Sequence, residues 1–97
     1  MEKNIRNEDW LWVVIQDPEA EAQIVGQQDE KQGVAFIPVF SRKEEAFQCL
    51  NLLAKQPGKK YEPQAIIYED LARYASSNGL LIFILDGEGR VLDKIRV

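Results

Sequence analysis

The stretch FIPVFSRKEEAFQCLNLLAK, residues 36–55, joins an apolar run to a segment in which apolar residues return at helical spacing. Ser41 has the side chain of a good helix N-cap, and Glu44 stands three residues later, at the spacing of a capping box. We therefore predict a strand over 34–40 and a helix that begins at Ser41 and ends before QPGKK, residues 56–60. The apolar residues of this helix share one arc, which we expect to face a sheet: Ala46, Phe47, Leu50, Leu53 and Ala54.

Similar patterns extend on both sides of this joint. Aromatic and β-branched residues at 10–16 predict a buried strand, and a short second strand is expected at 22–27. The remaining elements are predicted as a strand at 63–68, a helix at 69–79, a central strand at 80–86, a turn at 86–90 and a strand at 91–97. The order β-β-β-α-β-α-β-β predicts a single α+β domain over 1–97, with two helices on one face of a mixed sheet.

Side-chain patterns predict details of this sheet and of the second helix. Pro38 has no N–H to donate, so we expect the strand at 34–40 to lie at an edge of the sheet or to carry a bulge. In the last strand, Val91 and Ile95 share a face with Asp93, which indicates that this face is only partly buried. The second helix is predicted to bury a stripe of three residues, namely Leu71, Tyr74 and Ala75.

The composition excludes several classes of function. With one cysteine and no histidine, the chain can form neither an internal disulfide nor a familiar zinc site, and it lacks the commonest general base. The net charge of −4 argues against general nucleic-acid binding, which depends on neutralising phosphates. No apolar run approaches the roughly 18 residues of a membrane span, and MEKNIRNED lacks the apolar core of a signal peptide. We expect a cytoplasmic protein that is not an enzyme, with no catalytic residue, metal or cofactor, and with neither nucleic acid nor a membrane as its partner.

Two features that could mark chemistry have simpler interpretations. Cys49 falls at the margin of the helical apolar arc with no histidine to activate it, so we predict a packed and inert thiol. Asp86 and Glu88 stand beside glycines, but a calcium loop needs more acidic ligands than these two. We therefore predict an ordinary β-turn at this position.

The strongest functional signal is a possible binding surface. Trp10 and Trp12 alternate with Leu11, so both indoles point to one side of their strand. If that side carries no helix, the indoles form an aromatic patch suited to a protein partner; the alternative is that they belong to the core. Leu52 projects about 160° from the apolar arc of its helix and is predicted to be exposed. The predicted protein-binding residues are Trp10, Trp12, Phe36, Pro38 and Leu52.

These residues predict a protein-binding or adaptor domain, which acts either on a different protein or on a second copy as a homodimer. The alternative that the sequence leaves open is a regulatory domain that senses a small molecule. In that case we expect the ligand between the sheet and the N-terminus of the first helix.

Two segments also resemble known families. FIPVFSRKEEA, at 36–46, is similar to a segment of the N-terminal domain of the enhanced-serine-sensitivity (SseB-type) family. YEDLARYASSNGLLIFILDGEG, at 68–89, resembles the helix, apolar strand and glycine-containing turn of that family, with Asp86-Gly87 in place of the usual Asn-Pro. A family of unknown function from plants and cyanobacteria has a similar layout. The resemblance covers about residues 34–90 and implies the α+β fold, without implying a catalytic residue.

Overall fold

The computed structural model describes residues 5–53 and 55–97, which form an α+β fold. Along these residues the elements are β1 (Trp10–Gln16), β2 (Gln23–Ile24), β3 (Gln27–Asp29), β4 (Val34–Phe40), α1 (Lys43–Leu50), β5 (Tyr61–Ile67), α2 (Tyr68–Ser77), β6 (Leu81–Leu85) and β7 (Val91–Ile95). The predicted class and order are confirmed, with the two short strands β2 and β3 in place of the one predicted at 22–27. Ala54, which was expected in the apolar arc of α1, lies outside the described residues.

The strands form one mixed sheet with the main order β5-β1-β4-β6-β7. β1 is antiparallel to β5 and β4, β4 is parallel to β6, and β7 returns antiparallel to β6. β1 and β4 pair only where Trp12 lies opposite Phe40. Beyond that pair the two strands separate, and the gap is filled by β2, which pairs with β1, and by β3, which pairs with β4.

β4 lies inside the sheet and pairs with β6 without a register shift, so neither the edge position nor the bulge predicted from Pro38 is found. On one side, β6 pairs with β4 along the whole of 36–40. On the other side, β3 pairs only as far as Phe36 and β1 only at Phe40, which leaves a gap in the pairing among the described strands. Backbone N–H and carbonyl groups alternate in direction along a strand, and those of Phe40 face β1. The backbone of Pro38, two residues earlier, faces the same side, so the position at which it lacks an N–H lies at this gap.

The helices lie on opposite faces of the sheet, which corrects the prediction that both cover one face. The cluster on the α1 side consists of Val14, Val25, Phe40, Ala46, Cys49, Phe83 and Leu85. The cluster on the α2 side consists of Leu11, Val13, Ile15, Ile37, Val39, Leu71, Ala75, Ile82 and Ile84. α1 leads from β4 to β5 and α2 leads from β5 back to β6, so the two crossovers run in opposite directions across the sheet. Right-handed crossovers in opposite directions place their helices on opposite faces.

α1 is shorter than predicted, and the face that it buries is rotated around the helix relative to the predicted apolar arc. Its N-cap is Arg42, in an extended conformation and without a side-chain capping hydrogen bond, so the predicted cap at Ser41 is wrong. Ala46 and Cys49 are its buried residues, whereas Phe47, expected to face the sheet, is 52% exposed. The thiol that was predicted at the margin of the arc is therefore part of the core.

α2 follows its prediction more closely. Leu71 and Ala75 are completely buried against the sheet, while Tyr74 lies at the exposed margin of the stripe. Neither helix within the described ranges is long and apolar enough to cross a membrane.

A bulge in β7 changes the faces predicted for the last strand. Leu85 lies opposite Val91, but Ile84 lies opposite Asp93, so Leu92 is the additional residue. Val91 therefore lies on the α1 face with Leu85, and Ile95 lies on the α2 face. The predicted common face of Val91 and Ile95 does not form.

Candidate functional site

α1 packs against β5, β1 and β4, and neither of the two described helices covers the part of the same face over β6 and β7. Two surfaces result, one on each side of α1. The first, which we call the aromatic surface, consists of Trp10, Trp12, Lys43, Phe47 and Ala65. The second is a groove beside β7, at the C-terminal end of α1.

The aromatic surface is built by β1 and the first turns of α1. Trp10 and Trp12 alternate with residues of the α2-side cluster, so their indoles lie on the α1 face. Trp10 is 63% exposed, whereas Trp12 is half-buried and packs against the α1-side cluster. Trp10 is therefore an exposed surface residue, whereas Trp12 belongs partly to the core and supports that surface.

Lys43 joins the helix to this surface. Its Nζ lies 5.7 Å from the centre of the Trp12 ring and 5.7 Å from the centre of the Phe47 ring. Lys43 and Phe47 are four residues apart, so they share one side of α1, and Lys43 reaches Trp12 of β1. Aromatic rings attract the ammonium group electrostatically. Among the described residues no carboxylate lies within ion-pair distance of Lys43, so its charge is matched by no protein anion.

β5 forms an open border of the sheet next to the aromatic surface. Asp17 N donates to the Lys60 carbonyl and Tyr68 N donates to the Asp9 carbonyl, and these two bonds bracket the β1–β5 ladder. Backbone groups alternate in direction along an antiparallel strand, so the even-numbered residues of β5 face β1. The odd-numbered residues, Tyr61, Pro63, Ala65 and Ile67, direct their backbone groups away from β1, and no described strand pairs with them. We call these outward groups the β5 edge.

The side chains of the β5 edge lie on the same face as the indoles. Trp10 is opposite Ile67 and Trp12 is opposite Ala65 in the register, and directly opposed residues share a face. Ala65 is exposed and its side chain is small, so little side-chain bulk stands on the sheet beside the half-buried indole of Trp12. The aromatic surface therefore continues to the open border of the sheet.

The groove on the other side of α1 has a volume of about 480 Å³. Its floor contains the stacked rings of Phe36 and Phe83, whose centres are 4.2 Å apart with 13° between the planes. Lys94 Nζ lies 5.1 Å from the centre of the Phe83 ring. Leu52, which is 64% exposed, and Val91 contribute apolar walls. The groove could hold an apolar group of moderate size.

The two titratable groups discussed beside this groove, Cys49 and Asp86, have structural roles. Cys49 is buried, and burial together with the nearby charge of Asp86 raises the pKa of its thiol, which favours the unreactive protonated form. Asp86 accepts bonds from the Arg90 amide at 2.9 Å, the Glu88 amide at 2.9 Å and Arg90 Nε at 2.7 Å. These bonds, chiefly the one from the Arg90 amide, lower the pKa of Asp86. Its carboxylate closes the predicted turn, which is confirmed at this position.

The five residues predicted to bind protein do not form one surface. Trp10 and Trp12 lie together on the aromatic surface, while Phe36 and Leu52 line the groove on the other side of α1. Pro38 is completely buried and reaches neither surface. Leu52 is exposed, as predicted from its angle on the helix.

The sequence interpretation missed Lys43 and Phe47. Phe47 was assigned to the core because it is apolar and adjoins Ala46, although it stands about 100° from Ala46 around the helix. The i, i+4 spacing of a cation and an aromatic ring was the signal that could have identified the pair.

Comparison of the chain with protein-family models, with curated proteins and with solved structures finds no match. The SseB-type resemblance therefore stays a prediction, and function is argued from the residues alone.

Proposed function

We propose that this protein is a small cytoplasmic protein-binding or adaptor domain whose partner docks on the aromatic surface. The observation that carries the proposal is the exposure of Trp10 and Phe47, at 63% and 52%. They belong to the same surface as Lys43, whose Nζ lies over the Phe47 ring and forms no ion pair with a described carboxylate. Tryptophan is enriched among the residues that dominate the binding energy of protein interfaces. Trp12 supports this surface from below, so it is held in place before any partner arrives.

Lys43 adds specificity to this apolar surface. A cation at the centre of an interface favours a partner that brings a carboxylate and disfavours one that brings a second cation. The rings of Trp12 and Phe47 attract the ammonium group, which reduces the side-chain freedom that Lys43 would lose on binding.

Affinity capture with matched variants tests the proposal. Wild type, Trp10→Ala and Leu92→Ala are immobilised and exposed to an extract of the native host, and the retained chains are identified by mass spectrometry. Leu92 is the control because it is also exposed and apolar but lies on β7, at the other border of the sheet. We expect a chain that wild type and Leu92→Ala retain and Trp10→Ala loses, and calorimetry with that purified chain then gives the affinity. Retention of the same chains by all three proteins would place the interface elsewhere.

A second candidate is a sensor of a small apolar molecule, and the groove of about 480 Å³ favours it. The groove lies at the C-terminal end of α1, so the ligand would bind there rather than at the predicted N-terminal position. A thermal-melting screen of small aromatic compounds tests this candidate, because a ligand that binds only the folded state raises the melting temperature. A real site loses the shift when Leu52→Glu is introduced and keeps it in Trp10→Ala.

A further inference from the structure

We propose that the β5 edge receives an extended segment of a partner protein as an additional strand, and that this segment presents a carboxylate to Lys43 between apolar side chains. The inference rests on the proposed function and specifies both the mode of binding and the chemistry of the partner.

The backbone of the β5 edge is suited to strand addition. Tyr61, Ala65 and Ile67 each have an N–H and a carbonyl that point away from β1, and Pro63 has an outward carbonyl only. An added strand can therefore form main-chain hydrogen bonds along most of the seven residues of β5. The missing donor at Pro63 makes indiscriminate pairing less favourable, so side-chain contacts must supply part of the affinity.

The aromatic surface lies where alternate side chains of an added strand would project. Neighbouring strands are about 4.8 Å apart, and directly opposed residues share a face. A residue added opposite Ala65 would therefore reach over this small side chain toward Trp12, and one added opposite Ile67 would come near Trp10. Every second side chain of the segment meets apolar surface, which predicts an alternating apolar pattern.

The charge of Lys43 decides between two possible occupants. A second copy of this chain, paired through the same edge about a two-fold axis, would bring a second Lys43 to the same face, where the two ammonium groups would repel each other. A different protein can bring Asp or Glu, which would pair with Lys43 in partly desolvated surroundings. The structure therefore favours an acidic, apolar segment of another protein over a homodimer.

Selection from a displayed library of random seven-residue segments tests this inference. Wild type is the bait, and the enriched peptides are then synthesised and measured by calorimetry against Lys43→Glu, Ala65→Pro and Ala65→Ser. Ala65→Pro removes an outward donor without breaking the β1–β5 ladder, and Ala65→Ser is its matched control because it keeps the N–H. We expect peptides with alternating apolar residues and one Asp or Glu, weakened at least about tenfold by Lys43→Glu and by Ala65→Pro but not by Ala65→Ser.

Two further measurements identify strand addition itself. The peptide should slow hydrogen exchange at the amides of Ala65 and Ile67, and replacing its acid by Lys should restore binding to Lys43→Glu. Peptides that depend on Trp10 but bind Ala65→Pro normally would overturn strand addition while leaving the proposed function intact. Dimers that Ala65→Pro disrupts, or a library that yields no binder, would overturn the choice of occupant. A host chain that is retained independently of Trp10 would instead overturn the proposed function.

Discussion

Pro63 of β5 lies directly opposite Val14 of β1, and the carbonyl of Val14 accepts a hydrogen bond from Val25 N, at 2.9 Å, on the other side of β1. The backbone groups of Val14 thus face away from β5, and those of Pro63 face the open border. The proline costs the sheet no ladder hydrogen bond. Its neighbours in sequence, in contrast, face β1 and depend on their N–H groups.

This alternation predicts opposite outcomes for two adjacent proline substitutions. Gln64→Pro removes an N–H that faces Val13, so we expect a loss of about 2–3 kcal/mol in the free energy of unfolding. Ala65→Pro removes only an outward N–H, so its cost should stay within about 1 kcal/mol. Urea unfolding of both variants beside wild type measures the difference. Equal destabilisation by the two would show that the assigned backbone directions are wrong.

The two prolines also show how far a sequence specifies a sheet. Both are strand residues without a donor, and the rule that places proline at an open border is correct for Pro63 and wrong for Pro38. Pro38 lies in the interior of the sheet because β1 and β4 separate there, so no described strand needs an N–H from this residue. The separation depends on the pairing of strands that are distant in sequence, and no local pattern predicts it. The strands at 10–16 and 34–40 were predictable because each is a continuous run of mostly apolar residues, a pattern that lies within the segment itself.

A second prediction concerns the start of α1. Arg42 has φ −137° and ψ 150°, the extended conformation of an N-cap, but its side chain makes no capping bond. Arg42→Ser should supply an acceptor for a free amide of the first turn and raise the free energy of unfolding by about 1 kcal/mol. Arg42→Ala is the control, since it removes the same charge without adding an acceptor. Urea unfolding in which the Ser variant is no more stable than the Ala variant would contradict this assignment.

A third prediction concerns the thiol of Cys49, which projects from α1 into the α1-side cluster. Because burial and Asp86 raise the pKa of this thiol in the folded state, an aromatic disulfide reagent at neutral pH should react at least about a hundredfold more slowly than in urea. The folded state holds its proton more tightly, so stability should fall as the pH rises above 9.0, the ordinary pKa. Cys49→Ala should lack this alkaline component, and fast labelling of the native protein would disprove the buried, inert assignment.

A fourth prediction concerns acid stability and Asp86. Hydrogen bonds from the Arg90 amide, the Arg90 side chain and the Glu88 amide lower the pKa of this carboxyl in the folded state. The stability that it contributes is present at neutral pH and is lost as the pH falls through the lowered pKa. Asp86→Asn should therefore be less stable than wild type at neutral pH and lose less stability on acidification. Urea unfolding across this range, with the exposed Glu30→Gln as control, measures the effect, and parallel pH profiles for wild type and Asp86→Asn would contradict it.

The candidate site was less predictable than the fold. The alternation of Trp10 and Trp12 placed both indoles on one face, but which helix covers that face depends on the direction of each crossover. Phe47 was assigned to the core by its apolar character, and the position of α1 over β5 leaves its ring outside. Partial coverage of a sheet by a short helix is a tertiary property, so the exposed and supporting residues could not be separated from the sequence alone.

The last prediction separates these two roles in the tryptophans. Trp12 packs against the α1-side cluster beneath Lys43, so Trp12→Ala should lower the free energy of unfolding by about 2 kcal/mol or more. Trp10 is 63% exposed, so Trp10→Ala should cost less than about 1 kcal/mol while removing most of the partner affinity. Urea unfolding and calorimetry of both variants, with the Phe substitution at each position as a conservative control, measure the two effects independently. If Trp10→Ala unfolds the domain, Trp10 is a core residue and the aromatic surface loses its main anchor; if it folds and binds normally, the partner docks elsewhere.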